Sequence, residues 1–136
     1  MKNLSLLLIE DSPTDAHMAL RILKKAKPET QHHWIEDGEE AVSYFQNEES
    51  ELPKMILLDL RLPKVNGFGV LKEIRANERF ARLPVIVYSS SGQEEDIQEA
   101  IDYGANSYLV KPGNYGDMKE LLGLTFRYWI ESNQSV

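Results

Sequence analysis

The sequence contains no cysteine, which excludes disulfides, thiolate metal ligands and cysteine nucleophiles. It also lacks a long apolar run. No stretch reaches the ~18 apolar residues of a membrane span, and acidic residues follow the short apolar N-terminal segment where a signal peptide needs small ones. We therefore expect a cytoplasmic protein. Basic residues are in deficit, 15 against 22 acidic ones, for a net charge of −7. Because that charge repels phosphates at long range, nucleic-acid binding is not expected.

The length of 136 residues and the hydrophobic share of 42% suit one domain with one core. The chain shows no internal repeat, low-complexity segment or linker. We expect a single domain over residues 1–136 with no output domain, since the last predicted helix leaves no room for a helix-turn-helix.

Short apolar runs alternate with longer amphipathic stretches along the whole chain. Strands are predicted at residues 4–9, 33–36, 55–58, 84–88 and 107–110, with helices at 13–26, 39–47, from 66–67 onward, 93–103 and 115–131. Strict alternation of this kind is typical of an α/β fold with a parallel sheet covered on both faces. We predict a doubly wound five-stranded sheet of order 2-1-3-4-5.

Polar side chains follow four of these predicted strands at the point where each strand ends. Glu10 and Asp11 follow the first strand, and Asp59 follows the third. Ser89 follows the fourth strand, and Lys111 follows the fifth. Because doubly wound folds bind ligands outside the carboxyl ends of their strands, we expect one site there. A single acid after a strand is often only a helix cap, so the inference rests on four strand ends converging.

The chemistry of this predicted site favours magnesium and phosphoryl transfer. Three carboxylates about 5 Å apart repel by roughly 3 kcal/mol per pair at an effective dielectric near 20. Lys111 offsets part of that repulsion, and Mg²⁺ bound by Glu10, Asp11 and Asp59 would offset the rest. Asp59 stands alone at the central strand and is the candidate nucleophile. Lys111 and the Ser89 hydroxyl would then contact phosphate oxygens.

The chain resembles the response-regulator receiver family of two-component signalling over essentially its whole length. The resemblance rests on four strings that occur in order, LLLIEDSPTD, MILLDLRLPKVNGFGVL, PVIVYSSS and GANSYLVKP. It implies the flavodoxin-like (βα)5 receiver fold and Asp59 as the phosphoacceptor, with Glu10 and Asp11 as the acidic pair. Gly67 and Pro63 match the turn after that acceptor.

The resemblance also implies roles for residues that spacing alone does not assign. The main-chain carbonyl of Arg61 would be a further Mg²⁺ ligand, while its side chain would either shield the phosphate or pair with Glu10. Ser89 and Tyr108 match the switch pair, in which the hydroxyl moves onto the phosphate and the ring turns inward. Lys111 with Pro112 matches a lysine followed by a cis-proline turn.

The implied function is a single-domain response regulator that receives a phosphoryl group from a sensor histidine kinase or a phosphorelay. Beyond its own phosphorylation and dephosphorylation, it would not be an enzyme. The acidic loop at 48–51 and the segments RFARLP and FRYWIE resemble small regulators that partner phytochrome-type kinases.

The last predicted helix is apolar on two sides. Its core face is predicted to be formed by Met118, Leu122, Phe126 and Trp129. A second apolar line runs through Leu121, Leu124 and Tyr128. We interpret this line as part of a homodimer surface made by helix 4, strand 5 and helix 5, with extra core packing as the alternative.

Three other functions share part of this pattern. A phosphatase of the haloacid-dehalogenase type needs a second acid two residues after its aspartate, where this chain has Arg61. A flavodoxin-like flavin module needs a glycine- or hydroxyl-rich loop after the first strand, where Glu10 and Asp11 would repel a bare phosphate. A degenerate receiver that only binds a partner remains the alternative. The residues His17, His32 and His33 are interpreted as surface or packing side chains.

Overall fold

The computed structural model describes residues 4–134 and contains a parallel sheet of five strands with helices on both faces. The strands are β1 (Leu4–Ile9), β2 (Gln31–Ile35), β3 (Met55–Leu58), β4 (Val85–Ser89) and β5 (Ser107–Val110). The α-helices are α1 (Pro13–Ala26), α2 (Gly38–Gln46), α3 (Gly67–Ala76), α4 (Glu94–Asp102) and α5 (Tyr115–Phe126). The strand order β2-β1-β3-β4-β5 confirms the predicted doubly wound topology.

Side-chain caps set the start of four of these helices. In each of the four, the backbone amide three residues after the cap residue donates a hydrogen bond to the side-chain oxygen of that cap. The caps are Ser12, Asp37, Asn66 and Asn114. The cap of α4, Gln93, makes no such bond, and its own amide instead donates to the hydroxyl of Ser91 at 3.3 Å. Local chemistry therefore determines where four helices begin, while α4 begins through a contact with the preceding loop.

The core forms two layers, one on each face of the sheet. Alternate residues of the central strands face α2, α3 and α4 on one side and α1 and α5 on the other. Because both faces are covered, β1, β3 and β4 are buried along their whole length. No helix within residues 4–134 is long and apolar enough to cross a membrane.

Two elements differ from their predicted bounds by more than one residue. The strand β2 begins at Gln31, two residues before the predicted start. It lies at the edge of the sheet, and its first three residues are exposed, so they carry no apolar pattern from which a strand could be predicted. The last α-helix ends at Phe126, and Arg127–Ser132 continue as a π-helix. The wider π-helical turn places Ile130 in the core, and the predicted core-face residue Trp129 is half-buried and packs against the same core layer.

Candidate acidic site at the carboxyl edge of the sheet

The ends of β1 and β3 bring three acids together. Glu10, Asp11 and Asp59 each offer one carboxylate oxygen, and these oxygens lie within 4.8 Å of one another. Glu10 and Asp59 are buried, whereas Asp11 is exposed. The site thus consists of two buried acids and one carboxylate that is open to solvent.

The backbone around Asp59 is tightly packed against its neighbours. Its amide donates to the carbonyl of Ile9 at 2.9 Å, and its Oδ1 accepts from the amide of Arg61 at 3.2 Å. A Cβ at Gly67 would lie 2.5 Å from the Asp59 carbonyl oxygen, so only glycine allows α3 to start this close to the acid. The turn after β3 therefore holds Asp59 at a defined position.

Lys111 reaches into this cluster from the end of β5. Its Nζ lies 2.9 Å from Glu10 Oε1, 3.4 Å from Asp59 Oδ2 and 2.8 Å from Asp15 Oδ2. In the sequence, Asp15 has no feature beyond that of an ordinary first-turn acid of α1. The available signal was that α1 starts at the same sheet edge as the other acids, so its first turn faces them.

No peptide bond in the described part of the chain is cis, so the predicted cis turn at Pro112 is wrong. Strand pairing orients Lys111 instead. Its amide donates to the carbonyl of Ser89 at 2.7 Å and extends the β4–β5 pairing one residue past the end of β5. Side-chain alternation along that extended strand then directs the lysine toward the acids.

Burial and charge shape the proton affinities of the site. Burial raises the pKa of Glu10 to about 8, with a further increase from the neighbouring Asp59 and a partial decrease from Lys111. Burial would by itself lower the pKa of Lys111. The hydrogen bond to Asp15 and the charges of Asp59 and Glu10 outweigh it, so that pKa is raised. One lysine therefore leaves the acid cluster with uncompensated negative charge.

This donor set fits a hard divalent cation. Mg²⁺ is bound in proteins by one or two carboxylates with waters and other oxygens, and three carboxylate oxygens converge here. The raised pKa of Glu10 indicates that the site favours added positive charge, either a proton or a cation.

The remaining predicted residues lie around the end of β4. Ser89 is buried, and its Oγ accepts a hydrogen bond from the amide of Ser91 at 3.2 Å. The half-buried Tyr108 donates its hydroxyl to the carbonyl of Ser91 at 2.8 Å. Ser89 and Tyr108 are therefore connected through Ser91, a residue that the sequence analysis left out. The hydroxyl of Ser91 donates to Asp96 Oδ2 in α4 at 2.5 Å.

The other candidates lie outside the acid cluster. The side chain of Arg61 is exposed, and within residues 4–134 the ion-pair partner of Glu10 is Lys111. His17 packs edge-on against Trp34, with ring centroids 5.4 Å apart, and His33 packs against Tyr44. The pKa of His32 is lowered because its ring is partly shielded from solvent and because Lys24 and His33 lie nearby.

The fold and this edge together define a doubly wound α/β protein that carries an acid cluster, a lysine and a buried hydroxyl at the carboxyl ends of its strands. Residues 6–123 match the response regulator receiver domain, and the chain belongs to that family. The family resemblance inferred from the four sequence strings is thereby confirmed.

The chain is similar to other regulatory proteins over most of its length. The probable methanogenesis regulatory protein FilR2 of Methanothrix harundinacea is 36% identical over 133 residues, which cover 96% of this chain and 86% of FilR2. The response regulator Rcp1 of Synechocystis is 34% identical over 131 residues, which cover 93% of this chain and 89% of Rcp1.

Solved structures show the same fold. The phosphorylated cyanobacterial phytochrome response regulator RcpA superposes with a TM-score of 0.91 at 29% identity, covering 98% of each chain. The Mn²⁺-bound form of Rcp1 superposes with a TM-score of 0.89 at 32% identity, covering 97% of this chain and 98% of Rcp1. The predicted similarity to small phytochrome-associated regulators is confirmed.

Proposed function

We propose that this protein is a single-domain response regulator that receives a phosphoryl group on Asp59 and passes the signal to a partner. One observation carries the proposal. A buried aspartate at the central strand lies with two further acids and 3.4 Å from the ammonium of Lys111. A nucleophilic carboxylate, a cation site and a fixed positive charge are what phosphoryl transfer to an acid requires.

The donor in this proposal is a phosphohistidine of a sensor kinase or phosphotransfer protein. A carboxylate oxygen of Asp59 attacks phosphorus, an O–P bond forms and the P–N bond breaks. The electron pair returns to the imidazole nitrogen, which takes up a proton. In the later hydrolysis, water attacks phosphorus, the carboxylate leaves, and inorganic phosphate is released. The protein would thus catalyse only its own phosphorylation and dephosphorylation.

Each side chain of the site has a distinct part in this reaction. Mg²⁺ would be held by Glu10, Asp11, Asp59 and the main-chain carbonyl of Arg61, and when bound it neutralises charge on the transferring oxygens. Lys111 supplies a second positive charge to those oxygens. The buried hydroxyl of Ser89 donates to a phosphoryl oxygen once it rotates away from the Ser91 amide, which lies 3.2 Å away.

Readout of phosphorylation would involve the surface of α4, β5 and α5. The link from Ser89 through Ser91 to Tyr108 and Asp96 connects the acceptor edge to β5 and α4. A change at Ser89 would therefore reach both elements within two hydrogen bonds. We expect partner binding at this surface to depend on the state of Asp59.

The partner kinase is proposed to be of the phytochrome type, because RcpA is a phytochrome response regulator and superposes over almost the whole chain. The similarity to FilR2 favours a different stimulus, since that relative is described as a methanogenesis regulator. Transfer of labelled phosphate from a purified phytochrome kinase to this chain would support the first partner, and no transfer from an autophosphorylated kinase would contradict it.

The cytoplasmic location stays a prediction.

We also propose that two copies pair through the same surface. Within residues 4–134, four of the five large hydrophobic side chains that are exposed lie on α4, β5, α5 or the π-helix, namely Ile101, Val110, Leu124 and Tyr128. Light scattering should give a dimer mass, and Leu124→Glu should reduce it to that of a monomer. A monomer before and after phosphorylation would contradict this pairing.

Labelling tests the function directly. With acetyl phosphate and Mg²⁺, intact-mass measurement should show one added phosphoryl group on the wild type and none on Asp59→Asn or without Mg²⁺. A wild type that stays unlabelled, yet still binds a partner, would favour the degenerate receiver that acts only as an interaction module.

A further inference from the structure

Asp15 makes the shortest of the three contacts of Lys111 with carboxylates, at 2.8 Å. It comes from α1, whereas the other two acids follow strands. The amide of Asp15 donates to Oγ of the helix cap Ser12 at 3.2 Å, so the start of α1 fixes its position. The side chain of Asp15 is 27% exposed and that of Lys111 only 10%, so the lysine is enclosed between the helix and the sheet edge.

The three acceptors of Lys111 differ in what phosphorylation would do to them. Under the proposed function, Asp59 becomes the acyl phosphate and Glu10 becomes a cation ligand, so both change partners during the reaction. Asp15 does not belong to the cluster of converging carboxylate oxygens. It is the one acceptor of the three whose contact with the ammonium can persist from the free protein to the phosphorylated one.

A lysine needs such an anchor. Its ammonium sits on a flexible four-carbon chain, and ordering that chain costs rotamer entropy. An ammonium has three donors, and in this structure they have three carboxylate acceptors, Glu10, Asp15 and Asp59. If two of those acceptors are engaged elsewhere, the third decides whether the charge stays beside the transferring group.

We propose that Asp15 is a positioning residue, which holds the Lys111 ammonium toward Asp59 during phosphoryl transfer. This inference rests on the proposed function. Asp15→Asn should slow labelling by acetyl phosphate at saturating Mg²⁺ roughly tenfold, the loss expected when a charge-assisted hydrogen bond no longer orients a reacting group. The Mg²⁺ affinity should stay within about twofold, since Asp15 is not one of the converging acids.

The helix α5 provides a matched control. Asp117 occupies the same position in the first turn of α5, where its amide donates to the cap Asn114 at 2.9 Å. Its carboxylate accepts a hydrogen bond from the side-chain amide of Asn114 at 2.9 Å and does not contact Lys111. Asp117→Asn removes the same charge from the same helical position, and its labelling rate should equal that of the wild type.

A double-mutant cycle separates positioning from a general structural role. If Asp15 acts through Lys111, Asp15→Asn should cause no further loss in a Lys111→Met background. A tenfold loss in both backgrounds would overturn the proposal. Asp15→Glu, which keeps the charge, should recover part of the rate lost in Asp15→Asn, and an equally slow Asp15→Glu would count against it.

The contact between Asp15 and Lys111 can also be tested by a measurement that needs neither metal nor phosphoryl transfer. The ¹⁵N-detected ammonium signal of Lys111 should be sharp in the wild type, because its protons are held by three carboxylates, and broadened by solvent exchange in Asp15→Asn. An unchanged signal would overturn the proposal. If wild type is not labelled at all, the proposed function fails, whereas labelling at equal rates in wild type and Asp15→Asn removes only this inference.

Discussion

The indole nitrogen of Trp34 donates a hydrogen bond to the main-chain carbonyl of Glu10 at 2.8 Å. A half-buried tryptophan on the edge strand β2 is thereby joined to the residue that begins the acid cluster. Any change in the position or charge of Glu10 should therefore alter the surroundings of this indole.

We predict that the fluorescence of Trp34 reports cation binding. The chain has two tryptophans, so Trp129→Phe leaves Trp34 as the single emitter. Titration of that variant with Mg²⁺ should change its emission along a saturating curve. Glu10→Gln in the same background should weaken the response. Calorimetric Mg²⁺ binding without any change in emission would contradict the prediction.

The stability of the metal-free protein should fall as pH rises. The pKa of Glu10 is raised from 4.5 to about 8, so the folded protein keeps a proton that the unfolded chain releases in this range. The stabilising contribution is complete below about pH 4.5 and is lost as pH rises toward 8. Urea unfolding between pH 5 and 8 should show a decrease on the order of 3 kcal/mol relative to Glu10→Gln.

Magnesium should oppose that decrease. Metal ligands must be deprotonated, so added Mg²⁺ should stabilise the protein more at pH 8 than at pH 5. The raised pKa of Lys111 does not disturb this range, because its ordinary value of 10.5 lies above it. Equal pH slopes in the wild type and Glu10→Gln would contradict the assignment to Glu10.

Loss of the Ser91 hydroxyl should loosen the start of α4. That hydroxyl donates to Asp96 and accepts from the amide of Gln93 at 3.3 Å, which replaces a side-chain cap. Ser91→Ala should cost about 1 kcal/mol of unfolding free energy and speed hydrogen exchange in the first turn of α4. The neighbouring Ser90 is exposed, and Ser90→Ala is the control that should leave both quantities unchanged.

Removal of two tyrosine hydroxyls should change the unfolding free energy in opposite directions. The buried hydroxyl of Tyr88 has no hydrogen-bond partner among the described residues, whereas that of Tyr44 donates to the carbonyl of Glu51 at 2.5 Å. Tyr88→Phe should raise the unfolding free energy by about 1 kcal/mol, and Tyr44→Phe should lower it by a similar amount. Thermal or urea unfolding measures both, and a destabilised Tyr88→Phe would indicate an ordered partner for that hydroxyl.

The amino-acid sequence alone predicts the sheet order, the bounds of most elements to within one residue and the convergence of Glu10, Asp11 and Asp59. The bounds follow from local patterns, namely apolar periodicity and helix caps. The strand order and the convergence of the acids follow from the rules for doubly wound parallel sheets. Where the pattern was weak, the prediction was poorer. The strand β2 is an exposed edge without apolar alternation, so its first residues were missed.

Which side chains touch depends on how the elements pack in three dimensions. Asp15 and Lys111 are 96 residues apart, and nothing in either segment encodes the 2.8 Å contact between them. Ser91 acquires its role because its amide, carbonyl and hydroxyl each meet a different element. Ile130 is buried beside the half-buried Trp129 because the helix widens after Phe126. Local backbone preferences depend on neighbours in the chain, whereas these contacts depend on how separate elements pack within a few ångströms of one another.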